Sequence, residues 1–170
     1  IIYENPTETK TRIFLSKDDH EEIYSKDYYN LSNNNFIQLK IDIEKKLSNE
    51  NFTIVLASRS VPELEKIQQE LPGESMVVEL DVTSTESVTK AFGKVDEKYG
   101  RIDVLVNSAG IMPLTYLKNR HLDEWLSTIE VNVQGTLRCI YSVLPLMKKQ
   151  EDGHIINIAS VDGKEIFAGG

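Results

Sequence analysis

The stretch Ile102-Asp103-Val104-Leu105-Val106-Asn107-Ser108-Ala109-Gly110 decides the reading of this chain. Apart from Asp103, its first five residues are an apolar, β-branched-rich run of strand length, and four small or polar residues then end it. A short strand with so little polar alternation suits a parallel sheet covered on both faces. Beyond it, Ala109 and Gly110 allow a close approach to the backbone, and the Asn107 side chain can brace neighbouring strands. An ordinary strand-to-loop turn is the plainer reading of the same four residues.

Outward from this stretch, the same alternation repeats on both sides. Phe52 to Ala57 has strand length; Pro62 suits the first turn of a helix, and Leu64, Ile67 and Leu71 share one face until Pro72-Gly73 stops it. Met76 to Leu80 is the next strand. Thr83-Ser84-Thr85-Glu86 has the form of a capping box, Val88, Phe92, Val95 and Tyr99 follow at helical spacing, and Gly100 is a left-handed stop. A long helix is expected from about Leu122 to Met147, with Trp125, Ile129, Val133, Leu137, Ile140, Tyr141 and Leu144 turned inward and Pro145 kinking or ending it. Residues 154–159 form the last strand. Upstream, Ile37, Ile41, Ile43 and Leu47 suit an amphipathic helix ending near Ser48-Asn49. The fold class is therefore α/β, a doubly wound parallel sheet of Rossmann-like type. In that architecture ligands bind at the carboxyl ends of the strands, where Asp81, Asn107 and Ser160 fall.

Residues 1–36 differ in character. They are polar, rich in tyrosine and asparagine, and weakly periodic, although Thr11 to Ser16 has strand character and Asn33-Asn34-Asn35 reads as loop or disorder. The expected organisation is an atypical or poorly ordered segment over 1–36 and a partial dinucleotide-binding domain over 37–170. The 170 residues are 40% hydrophobic and 27% charged, which supports one domain with a real core, and no apolar run is long enough to span a bilayer. A net charge of −8 argues against nonspecific nucleic-acid or anionic-lipid binding. The single Cys139 excludes an intrachain disulfide, and with three scattered histidines it offers no metal-ligand spacing. A buried, inert thiol in a reducing, cytoplasmic setting is expected. The chain starts at Ile1, which suggests processing or a partial sequence.

Leu80-Asp81-Val82, Asn107-Ser108-Ala109-Gly110, Val131-Asn132-Val133-Gln134-Gly135 and Ile155-Ile156-Asn157-Ile158-Ala159-Ser160 keep step with one another, and together they resemble the short-chain dehydrogenase/reductase family. Ser108 stands where the family's tetrad usually has a second Asn. The resemblance implies hydride transfer between a nicotinamide cofactor and a carbonyl or alcohol, on a small-molecule substrate, in a protein that commonly forms homo-oligomers. It implies that Asp81 and Val82 hold the adenine, and that Asn107, Ala109 and Gly110 line the cofactor; Asp81 as a simple turn cap is the plainer reading. Ser58 and Arg59 stand where relatives preferring NAD often carry an acidic residue, so NADP(H) is favoured over NAD(H). By resemblance Asn132 bends its helix and anchors a proton-relay water, while Ser160 bonds the substrate oxygen.

Two departures go with it. Counting back from Leu47 and Arg59, the family's phosphate-loop glycines fall near Asn34, Gln38 and Lys40; Asn34 tolerates a left-handed conformation, but Gln38 and Lys40 crowd a pyrophosphate. The Tyr-x-x-x-Lys pair is expected beyond Gly170, and neither Tyr116 nor Tyr141 has a lysine four residues on. The expectation is thus an incomplete sheet at the carboxyl end and a chain inactive alone, with the activity residing in a complete parent. A non-catalytic interaction or regulatory protein that keeps the fold is the alternative.

Overall fold

The computed structural model describes residues 2–5, 10–17, 21–29, 52–113 and 116–159. Strands β1 (Ile2–Asn5), β2 (Lys10–Lys17) and β3 (Glu21–Tyr29) pair antiparallel in that order, with a register shift between Leu15 and Ser16. The strand expected over 11–16 lies within β2. The helix expected over 37–47, the candidate glycine positions 34, 38 and 40, and Ser160 lie outside the described residues.

From Phe52 the alternation of strand and helix takes over. β4 (Ile54–Ser58) leads into α1 (Val61–Gln68), whose first turn holds Pro62, and then into β5 (Ser75–Glu79), parallel to β4. Side chains alternate across a strand, and here they separate two layers. Ile54 and Leu56 pack with Leu64, Leu71 and Ile67 on the α1 side. Val55 and Val78 join Ala91 and Val95 of α2 (Thr85–Tyr99) on the other. Helices therefore cover both faces of this sheet, as its apolar strands require. Each fully buried aliphatic side chain contributes about 1.5–3 kcal/mol.

At the start of α2 the cap is one residue later than expected. Ser84, not Thr83, accepts the Ser87 N–H at 3.2 Å through its hydroxyl. Thr83 is diverted because both its N–H and its hydroxyl bond Asp81. Gly100 ends the helix at φ 67°, a conformation that costs other residues and not glycine.

β6 (Val104–Asn107) pairs parallel with β7 (His154–Asn157). The connection is one helical stretch in three parts: α3 (Leu122–Ile129), a π-helical segment (Glu130–Gly135) and α4 (Thr136–Gln150). It runs three residues past the expected end and continues through Pro145. The carbonyl left without its N–H partner there is that of Tyr141, a residue 80% exposed, where water can serve it.

The expected inward face of this stretch is wrong. Trp125, Ile129, Val133, Leu137, Tyr141 and Leu144 are exposed, Ile140 is half-buried, and the buried positions are Gly135, Cys139, Val143 and Met147. The stretch carries apolar residues on more than one side, so periodicity alone could not choose between faces. Packing chose the side with the smaller residues, which lets α4 come close to α2; each of those helices contributes a fully enclosed valine, Val143 and Val88.

Candidate functional site

The parallel pairings bring the ends of β4 and β5 together, and likewise those of β6 and β7. Backbone bonds extend the ladders past both pairs, from Leu80 N to Ser58 O (2.9 Å) and from Ile158 N to Asn107 O (2.9 Å). Among the described residues, a cavity of about 1720 Å³ opens along β4 and β6, and Ser58, Arg59, Asp81, Val82, Asn107, Ala109 and Gly110 all border it. All seven residues expected to hold a cofactor border this hollow, which also runs back to the amino ends of the strands at Phe52, Thr53, Ile102 and Asp103. Every residue of β4 and β6 borders it too. A hollow against one sheet face would meet alternate residues only, so this one runs along the strand edges. Its volume accordingly exceeds that of a single-ligand pocket, ordinarily about 300–1,000 Å³.

At the β4 end, the Ser58 hydroxyl accepts the Ser60 N–H at 3.2 Å and tightens the turn into α1. Arg59 is exposed there, and its guanidinium makes no hydrogen bond to a described residue. At the β5 end, Asp81 Oδ1 accepts from Thr83 N (2.9 Å) and Thr83 Oγ1 (2.7 Å), and its own N–H donates to Ser87 Oγ (2.9 Å). Both side-chain bonds fall on one oxygen and leave Oδ2 for another donor. The Thr83 hydroxyl first, then the Thr83 N–H, hold the Asp81 carboxyl below the ordinary range; Arg59 and Arg138 add to this, against a partial desolvation. The turn-cap reading of Asp81 is thus real, and among the described residues its side-chain bonds fall on Oδ1 alone.

At the β6 end, Asn107 Nδ2 donates to Asn157 Oδ1 at 2.9 Å, the brace between strands that its position suggests. The following loop is held by Asn132. Its Oδ1 accepts the Ile111 N–H at 2.8 Å and its Nδ2 donates to the Ile111 carbonyl at 2.9 Å. Gln150 makes the same two-way clip on Ile102, at 2.9 and 3.1 Å, before the strand. Two carboxamides of one helical stretch thereby fix both approaches to β6. Asn132 lies in the π-helical segment, and such segments often mark functional positions. With its side chain committed to Ile111, its carbonyl is the polar group left, and the Thr136 hydroxyl donates to that oxygen at 2.9 Å.

Thr83 and Arg138 were not singled out from the sequence. Thr83 was legible only as a helix start, and an arginine within a helix carries no motif. Tyr99 donates to Glu74 at 3.2 Å at the amino end of β5, away from the strand ends just described. Cys139 is buried, and desolvation pushes its thiol up, as expected of an inert residue. No cluster of metal-ligating side chains occurs among the described residues, and none of their helices is long and apolar enough to cross a membrane.

A family model described as short chain dehydrogenase matches residues 41–170. An uncharacterized oxidoreductase of Staphylococcus saprophyticus is 44% identical over 124 residues, covering 72% of this chain and 50% of its own length. A metagenomic short-chain oxidoreductase solved in complex with NADP is similar with a TM-score of 0.72 and 30% identity, over 76% of this chain and 61% of that one. An actinorhodin polyketide ketoreductase solved with NADPH gives 0.72 and 29%, over 76% and 51%. The chain spans about half the length of the curated relatives it matches.

Proposed function

Because this chain belongs to the short-chain dehydrogenase/reductase family, we propose that it forms the NADP(H)-binding part of an oxidoreductase acting on a small carbonyl or alcohol substrate. The observation that carries this reading is the convergence of Ser58-Arg59, Asp81-Val82 and Asn107 to Gly110 on one cavity. The fit is chemical as well as spatial. Asp81 Oδ2 and the Val82 backbone suit an adenine edge, small residues at 109 and 110 admit a ligand close to the backbone, and the exposed Arg59 guanidinium suits a 2′-phosphate. Both solved relatives named above hold NADP or NADPH, which supports the same choice over NAD(H).

When bound, the dinucleotide supplies or accepts the hydride. The chain's own residues position it. Asn132 fixes the loop after β6 and is proposed to anchor a relay water; Ser160 is proposed for the substrate oxygen. No Tyr-x-x-x-Lys pair occurs in this sequence, so turnover by these residues alone is not expected. A reducing, cytoplasmic setting and assembly into homo-oligomers belong to the same proposal.

Fluorescence titration of the chain with NADPH, NADH and 2′,5′-ADP tests it. A charge-assisted phosphate contact is worth about 1.5–3 kcal/mol, so NADPH should bind roughly tenfold or more tightly than NADH. Arg59→Asp should reverse the order. Equal affinities in the unaltered chain would remove the preference, and no binding of any of the three would remove the reading.

A further inference from the structure

Glu130, Gln134 and Arg138 recur four residues apart along the π segment and the start of α4. Eight residues of regular α-helix rise about 12 Å, a long reach for one ion pair. The π segment lies between them, and Arg138 Nη2 is 2.6 Å from Glu130 Oε1 and 3.3 Å from Gln134 Oε1. Held this way, the guanidinium aims its other nitrogen away from its own helix, and Nη1 donates to the Val82 carbonyl at 3.1 Å. Val82 lies 56 residues earlier, in the turn after β5. The same helix grips Val82 a second time: a Cβ at Gly135 would lie 2.7 Å from Val82 Cγ2, so the bare backbone is seated against that side chain.

We propose that Arg138, aimed by Glu130, is a positioning residue that fixes the Asp81-Val82 turn for the purine end of the dinucleotide. It ties this turn to the helical stretch that also holds Ile111 through Asn132, so the two loops expected to line the cofactor share one support. The proposal's ligand half rests on the cofactor reading above; its structural half does not. A lysine replaces the fork only in part, because it lacks the two planar nitrogens that here meet Glu130 and Val82 separately.

Two measurements on the full chain separate the halves. In the ligand-free protein, amide hydrogen exchange reads the bonds of Asp81 N, Thr83 N and Ser84 N within the turn, and Ile111 N serves as the internal reference. Arg138→Gln should raise exchange at the three turn amides on the order of tenfold and leave Ile111 unchanged, with Glu130→Gln giving a smaller change of the same kind. Titration should show NADPH and 2′,5′-ADP weakened roughly tenfold, with reduced nicotinamide mononucleotide unaffected; Arg138→Lys should recover part of the loss. Unchanged turn amides, or exchange raised across the whole domain including Ile111, would overturn the proposal whatever the nucleotides do. A local exchange response in a chain that binds no nucleotide would sustain the positioning role and overturn the cofactor reading.

Discussion

At Asp81 the side-chain bonds to described residues fall on one carboxyl oxygen. Oδ1 accepts both donors of Thr83, whose hydroxyl is the leading cause of the lowered pKa. A carboxyl with its folded pKa below the unfolded value of about 3.9 stabilises the fold fully above that value. That contribution is lost as pH falls through the depressed folded pKa. Thr83→Val should move the Asp81 titration, followed by carboxyl-detected NMR, up toward the ordinary range, and should lower stability by about 0.5–1.5 kcal/mol near neutral pH. An unchanged titration would mean that the hydroxyl is not the cause. Asp81 was singled out in the sequence because a carboxylate directly after an apolar strand falls at the edge where such sheets bind ligands, and its capping of the following turn was legible from the same position. Arg138 was not, because its role depends on a carbonyl 56 residues away, which no local spacing encodes.

At the scale of elements, the strands and helices described from Ile54 onward were legible to within a few residues, since short apolar runs and Pro, Gly and Ser signals mark their ends; the flanking strands β1 and β3 of the antiparallel sheet were not, because residues 1–36 carry no clear apolar alternation. What escaped from Ile54 onward was orientation. The stretch 122–150 shows apolar residues at helical spacing on a face that packing left outside, while the buried line runs through Gly135, Cys139, Val143 and Met147. Gly135 shows why small residues won. It touches Val82 so closely that an added Cβ would fall 2.7 Å from Cγ2 and 2.9 Å from Cβ of that side chain. Gly135→Ala should therefore destabilise the chain in urea melts: overpacking costs about 1–3 kcal/mol, against a helix-propensity gain of about 1 kcal/mol. Val82→Ala combined with it should restore much of the loss, because the clash is with that side chain. A neutral or stabilising Gly135→Ala would show that the two elements separate at little cost.

For the whole molecule, the exposed line through Leu126, Ile129, Val133, Leu137, Tyr141 and Leu144 is the dominant surface feature of α3 and α4. Contiguous apolar surface of this kind favours association, and the net charge of −8 opposes it. The balance has a signature in salt. Added salt screens the repulsion between like-charged copies and leaves the apolar attraction intact. In sedimentation velocity, the sedimentation coefficient should rise with protein concentration, and more steeply at high ionic strength than at low. Leu137→Glu with Tyr141→Glu, two exposed positions one helical turn apart, should abolish most of that rise while leaving the thermal melt nearly unchanged, since neither side chain is in the core. Association that weakens with salt would instead point to paired charges as its cause. Association that survives the double substitution would place the contact on another surface.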